Sequence, residues 1–122
     1  MPKSILIVDD SPAVRRATRH YFETETQFEV CGEAIDGLDA LDKARLLKPD
    51  LVILDLAMPR MNGLQAAKEL RRIRADLRIV LFTSYADAVP ERDVLSSGVS
   101  AVVSKSAHLS VLVEQVEQLL AT

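Results

Sequence analysis

Asp9 and Asp10, Asp55, Thr83 and Lys105 each follow a short apolar run: Ile5–Val8, Leu51–Leu54, Ile79–Phe82 and, one serine later, Ala101–Val103. Taken singly, each has an ordinary explanation, since Asp, Ser and Thr cap helices and a loop Lys is solvated. Their joint occurrence at four run ends points to chemistry. Clustered carboxylates repel and raise one another's pKa unless a cation sits among them, and an all-oxygen site suits Mg2+ or Mn2+. With no Cys or His at these ends, zinc is disfavoured. Mg2+ takes one or two protein carboxylates and leaves its other positions to water and phosphate oxygens. Lys105 can then pair with phosphoryl oxygens, the Thr83 hydroxyl can donate to them, and Asp55 has the chemistry of a nucleophile that forms an aspartyl phosphate.

The elements that must position these groups alternate in type. Ile5–Val8 reads as a buried strand, followed by a helix capped by Ser11, opened by Pro12 and turning Val14, Ala17, Thr18 and Tyr21 inward. Phe28–Gly32 reads as the second strand. Asp36 can cap a helix with Leu38, Leu41 and Ala44 inward, which Pro49 stops. The third strand, Leu51–Leu54, runs into a loop punctuated by Pro59 and Gly63. A third helix spans Gly63 to about Arg74, with Ala66, Ala67, Leu70 and Ile73 inward and Lys68, Arg71, Arg72 and Arg74 on a solvated face. Ile79–Phe82 is the fourth strand, Pro90–Ser97 a weak helix ended by Gly98, and Ala101–Val103 the fifth strand. Leu109, Leu112, Val113, Val116, Leu119 and Leu120 form the stripe of a last helix. Strands separated by helices are parallel, and right-handed crossovers give one α/β domain with a doubly wound sheet. All strand C-termini then share the edge that carries the reactive groups.

Composition narrows the partners. The 122 residues carry a net charge of -3, with 48% hydrophobic and 27% charged residues, as expected of one globular domain with a single core. That charge gives no reason to expect direct contact with nucleic acid or an anionic membrane, and no apolar run is long enough to span a bilayer. No secretory segment is visible and the single Cys31 cannot form an internal disulfide, so cytoplasm is the expected compartment. Cys31 reads as a small core residue, and His20 and His108 as surface positions. Met58 and Met61 read as packing the loop after Asp55, Tyr85 as an exposed loop residue, and Val111 as an exposed apolar edge.

Asp9-Asp10, Thr83, Lys105 and the string from Asp50 to Gly63 (Asp-Leu-Val-Ile-Leu-Asp-Leu-Ala-Met-Pro-Arg-Met-Asn-Gly) resemble the receiver domain of two-component response regulators. The resemblance covers essentially the whole chain, 1–122, as one flavodoxin-like receiver domain, and implies the strand order 2-1-3-4-5. It implies that Asp55 accepts a phosphoryl group from a phosphohistidine on a sensor histidine kinase or a histidine phosphotransfer protein. Asp10 would hold Mg2+ (or Mn2+) with Asp55 and the backbone carbonyl of Ala57, with Asp9 joining through a water or from behind. Lys105 would bind a phosphoryl oxygen and Thr83 would move toward it. The same cage would assist hydrolysis of the acyl phosphate, although such domains are not normally classed as enzymes. An output domain outside this chain, or a homodimer through the fourth helix, fifth strand and last helix, would carry the signal.

The chain also departs from the family pattern. Val102 stands where an aromatic residue usually precedes the lysine by three positions, and Ser106 stands where Pro often follows it. Ala57 and Tyr85 occupy positions that in the family tune the phosphoryl lifetime. The string Gly98 to Lys105 looks closest to receivers that precede helix-turn-helix output domains. Two other classes compete. A related-fold phosphatase with an aspartate nucleophile would want a second carboxylate where Ala57 stands, and a flavin-binding protein of similar winding is disfavoured because no Gly-rich phosphate loop follows the first strand. A pseudo-receiver, acting only as an interaction module, should lack part of the acidic cluster or the lysine, and this chain has all of them.

Overall fold

In the computed structural model, which describes residues 2–121, Leu51–Leu54 (β3) forms the centre of a parallel sheet. Around it lie β1 (Ser4–Val8), β2 (Glu29–Ala34), β4 (Arg78–Thr83) and β5 (Ala101–Ser104), in the order β2-β1-β3-β4-β5. The pleat splits β3 between two apolar clusters. Val52 and Leu54 join Leu6, Val8, Ile79 and Leu81 beneath α2 (Gly37–Leu47), α3 (Gly63–Ile73) and α4 (Glu91–Ser97). Leu51 and Ile53 join Ile5, Ile7, Val80 and Phe82 beneath α1 (Pro12–Glu25) and α5 (Leu109–Leu120). Covering both faces accounts for the continuous apolar runs of β1, β3 and β4.

Local chemistry sets the helix ends. Ser11 accepts the Val14 N–H, with Pro12 in the first turn of α1. Asp36 accepts the Asp39 N–H at the start of α2, and Asn62 forms a reciprocal cap with Gln65 at the start of α3. Gly98, at φ 84°, takes the left-handed conformation that ends α4. His108 caps α5, its Nδ1 accepting the Ser110 N–H at 3.0 Å, and its exposed ring meets Tyr21 edge-on.

Several expectations shift. β2 begins and ends later than Phe28–Gly32, and its register against β1 slips between Ile5 and Leu6. Ala17 is exposed, and Phe22, one turn beyond Thr18, is the side chain that α1 buries completely. In α2 the buried positions are Gly37, Ala40, Leu41 and Ala44, one step round from Leu38, which is 41% exposed. Two of the four α3 cations serve as ties: Arg71 Nη1 donates to the Gly98 carbonyl at 2.9 Å, and Arg74 Nη2 to the Pro49 carbonyl at 2.6 Å. A single 3₁₀ turn at Ala86–Ala88 precedes α4. Met58, Met61 and the half-buried Cys31 pack against the α2–α3 side of the core, while His20, Tyr85 and Val111 are exposed. Among the described residues, no helix is long and apolar enough to cross a membrane.

Gly63 is required by contact rather than by backbone conformation. A Cβ on it would lie 2.3 Å from the Asp55 carbonyl oxygen and 2.9 Å from Leu56 Cα, both main-chain atoms, while its own N–H donates to the Leu56 carbonyl at 2.8 Å. Gly63→Ala must therefore push α3 off the end of β3, and we expect it to cost about 3 kcal/mol of stability in urea unfolding. A loss below about 0.5 kcal/mol would show that the close approach is not needed.

Candidate functional site

The sheet ladder continues past its strand ends and sets the height of the reactive residues. The Asp9 N–H donates to the Ala34 carbonyl at 3.1 Å, Asp55 N–H to Val8 at 3.0 Å, and Lys105 N–H to Thr83 at 3.0 Å. All the residues singled out from the sequence therefore converge on one edge. Lys105 Nζ lies 2.7 Å from Asp9 Oδ2 and 3.4 Å from Asp55 Oδ2. One carboxylate oxygen from each of Asp9, Asp10 and Asp55 lies within 4.8 Å of the other two.

Their environments differ. Asp9 and Asp55 are only 3% and 6% exposed, whereas Asp10 faces solvent. Asp9 Oδ1 accepts the Ser11 N–H at 2.9 Å, so this carboxylate both shapes the turn into α1 and holds Lys105. Thr83 is fully buried, and its Oγ1 accepts the Tyr85 N–H at 3.1 Å. The Ala57 residue sits exposed two positions after Asp55. Val102, alongside Leu81 in the sheet, packs into the core on the α2–α3 side.

Burial, and after it the charge of Asp9, pushes the Asp55 carboxyl above the ordinary aspartate range, and Lys105 only partly opposes this. Burial works against the Lys105 ammonium, but its hydrogen bond to Asp9 and the charges of Asp55 and Asp9 raise it overall, so it stays protonated at neutral pH. One ammonium thus serves two buried carboxylates with a third beside them. Three gathered carboxylates, with no softer donor grouped with them among the described residues, suit a hard divalent cation, and Asp9, Asp10 and Asp55 are the residues able to hold it.

Sequence reasoning missed the support behind Asp9. Arg15 Nη1 donates to the Asp9 carbonyl at 2.7 Å, and its Nε pairs with Glu33 Oε1 at 3.0 Å. Arg19 takes the other Glu33 oxygen at 2.8 Å, and Lys43 Nζ donates to the Glu33 carbonyl at 2.7 Å. The only available signal was a pair of arginines four apart on α1, which by itself reads as a solvated face.

The family model described as response regulator receiver domain matches residues 5–117. The response regulator protein VraR of Staphylococcus saprophyticus is 34% identical over 118 residues, 97% of this chain and 56% of its own length. A two-component response regulator of the LuxR family from Aurantimonas sp. SI85-9A1 superposes with a TM-score of 0.89 at 32% identity, covering 99% of this chain and 86% of that one. The response regulator TrrA from Thermotoga maritima, solved with Mg2+-BeF, gives 0.87 at 35% identity, with 97% and 99% covered. The chain spans about half the length of the curated relatives it matches.

The raised Asp55 pKa fixes the sign of a charge substitution. Because the folded value lies above the unfolded one, ionising Asp55 favours unfolding; this penalty is complete above the folded pKa and vanishes as pH falls toward the ordinary aspartate value. Asp55→Asn should therefore raise the melting temperature of the metal-free protein at neutral pH, on the order of a few degrees, with the gain shrinking as pH is lowered. A variant that melts lower than the parent at neutral pH would contradict a strained carboxylate pair.

Proposed function

Because this chain belongs to the response regulator receiver domain family, we propose that it is the phosphoacceptor of a two-component signalling pair, with Asp55 as the accepting residue. The observation that carries this is the buried Asp55 carboxylate, 3.4 Å from Lys105 at the end of the central strand and beside two further carboxylates. An Asp55 carboxylate oxygen attacks the phosphorus of a phosphohistidine on a sensor histidine kinase or phosphotransfer protein. The P–O bond forms as the P–N bond breaks, and the electron pair leaves with the imidazole, which takes up a proton.

Asp10 and Asp55, with the Ala57 carbonyl and Asp9, would hold Mg2+, in line with the Mg2+-BeF complex of the TrrA relative. When bound, such a cation offsets the negative charge gathered between carboxylates and phosphoryl oxygens. The chain's own groups do the rest. Lys105 is poised to exchange its contact with Asp55 for a phosphoryl oxygen, keeping its bond to Asp9 as an anchor. The Thr83 hydroxyl, which accepts the Tyr85 N–H at rest, turns to donate to a phosphoryl oxygen, and the movement of Thr83, Ser84 and Tyr85 passes into the segment before α4. The domain is an acceptor that is charged and discharged, not an enzyme acting on a free substrate. Its output lies in a partner or in a further domain, and the cytoplasm is its place of work.

Intact mass spectrometry after incubation with a small acyl phosphodonor and Mg2+ tests the chemistry. One phosphoryl group should add to the parent protein and none to Asp55→Ala. Absence of any adduct, under conditions that phosphorylate a control receiver, would contradict the proposal.

A further inference from the structure

We infer that Arg60 is a positioning residue for the metal site, acting through Asp36: its ion pair pins the loop that carries Ala57 against the start of α2. The inference rests on the receiver reading of the acidic cluster and adds to it a residue that touches none of the reacting atoms.

Arg60 lies five residues after Asp55, in the loop between β3 and α3, and adopts φ 68°, the left-handed region that L side chains disfavour. Its guanidinium uses two donors, Nε and Nη2, on the same oxygen of Asp36, with Nε at 3.1 Å. Asp36 is almost wholly buried, while the Arg60 side chain is 59% exposed. The other Asp36 oxygen, Oδ1, accepts the Asp39 N–H at 2.9 Å as the cap of α2. The Asp39 N–H and Arg60 together hold the Asp36 carboxyl below its usual range. Exposed ion pairs contribute little, but here one partner is buried, and withdrawing Arg60 would leave half of a buried carboxylate without a cation.

Two further contacts show that the loop is seated rather than merely tethered. A Cβ on Gly37, the residue after Asp36, would lie 2.8 Å from Met61 Cβ and 3.0 Å from its carbonyl oxygen, so loop and helix start touch through a glycine. At the other end, Gly63 N–H bonds the Leu56 carbonyl. Ala57 falls between these clamps. Arg60 is also the middle residue of a tight turn closed by the Met61 N–H on the Pro59 carbonyl at 2.8 Å, so its ion pair anchors a loop already turned in that direction, and such outer partners of metal ligands typically matter for affinity.

The test is titration of Mg2+ alone into the full chain, followed by amide resonances, for the parent, Arg60→Ala, Arg60→Gly, Arg60→Lys and Asp36→Asn. Melting temperatures and phosphorylation rates at saturating Mg2+ are measured alongside. Arg60→Ala and Arg60→Gly should each weaken Mg2+ binding about tenfold. Arg60→Lys, with charge but no two-donor fork, should fall between them and the parent. Asp36→Asn should weaken binding too, and adding it to Arg60→Ala should weaken it no further, because both remove one contact. Phosphorylation at saturating Mg2+ should still occur in every variant, which a general loss of structure would not allow. Arg60→Gly relieves the left-handed backbone while deleting the ion pair; if it binds Mg2+ like the parent, the inference is overturned. Variants that melt lower but bind Mg2+ unchanged would reduce the pair to a structural role and overturn it equally. A parent protein that binds no Mg2+ would instead overturn the receiver reading itself, and the inference with it.

Discussion

Two carboxylates buried beside one ammonium, at the open end of a parallel sheet, set the terms for the rest of the molecule. Asp9 and Asp55 are both nearly inaccessible, and Lys105 reaches both but lies closer to Asp9. Each carboxylate alone could be matched by the ammonium, but the pair cannot, and Asp10 adds a third charge at the rim. Such an arrangement is costly in the resting protein and is relieved by added positive charge. On the proposed reading, a phosphoryl group on Asp55 would give Lys105 new oxygens to bind, and a bound cation would offset the negative charge then gathered there.

The fold makes this arrangement unavoidable. The strands that bear Asp9, Asp55, Thr83 and Lys105 are neighbours in the order β1-β3-β4-β5, and the ladder bonds beyond their ends keep the residues level. Glycines hold the approach close: α3 can start directly under Asp55 only because Gly63 lacks a Cβ. On the flank, the Arg15–Glu33–Arg19 group ties α1 to β2 and to the Asp9 carbonyl, while Arg60 ties the loop after Asp55 to α2. The reactive edge is thus tied down on its sheet side, while the Thr83 hydroxyl at its far end is engaged by the Tyr85 N–H alone among the bonds of the described residues.

What was legible in the sequence follows from how local each signal is. β1, β3 and β4 are buried on both faces, so their unbroken apolar runs located Asp9, Asp55 and Thr83 correctly. The edge strand β2 carries Glu29 and Glu33, which hid its true limits. Helix faces were read to within one step: Leu38 points outward because the buried stripe of α2 begins at Gly37, and Phe22 takes the core position that Ala17 was expected to share. Arg71 and Arg74 looked like solvent-facing charge, since the carbonyls they bind lie 27 and 25 residues away. Arg60 was invisible for the same reason, its partner being 24 residues earlier and already explained as a helix cap.

The central claim is that the Asp55 carboxylate is held at an energetic disadvantage until positive charge arrives beside it. Carbon-13 NMR of the Asp55 carboxyl, titrated against pH in the metal-free protein and again with Mg2+, measures that directly. The account predicts a midpoint above the ordinary aspartate value of 3.8 without metal, and a downward move when Mg2+ is added. A metal-free midpoint at or below that value would contradict it.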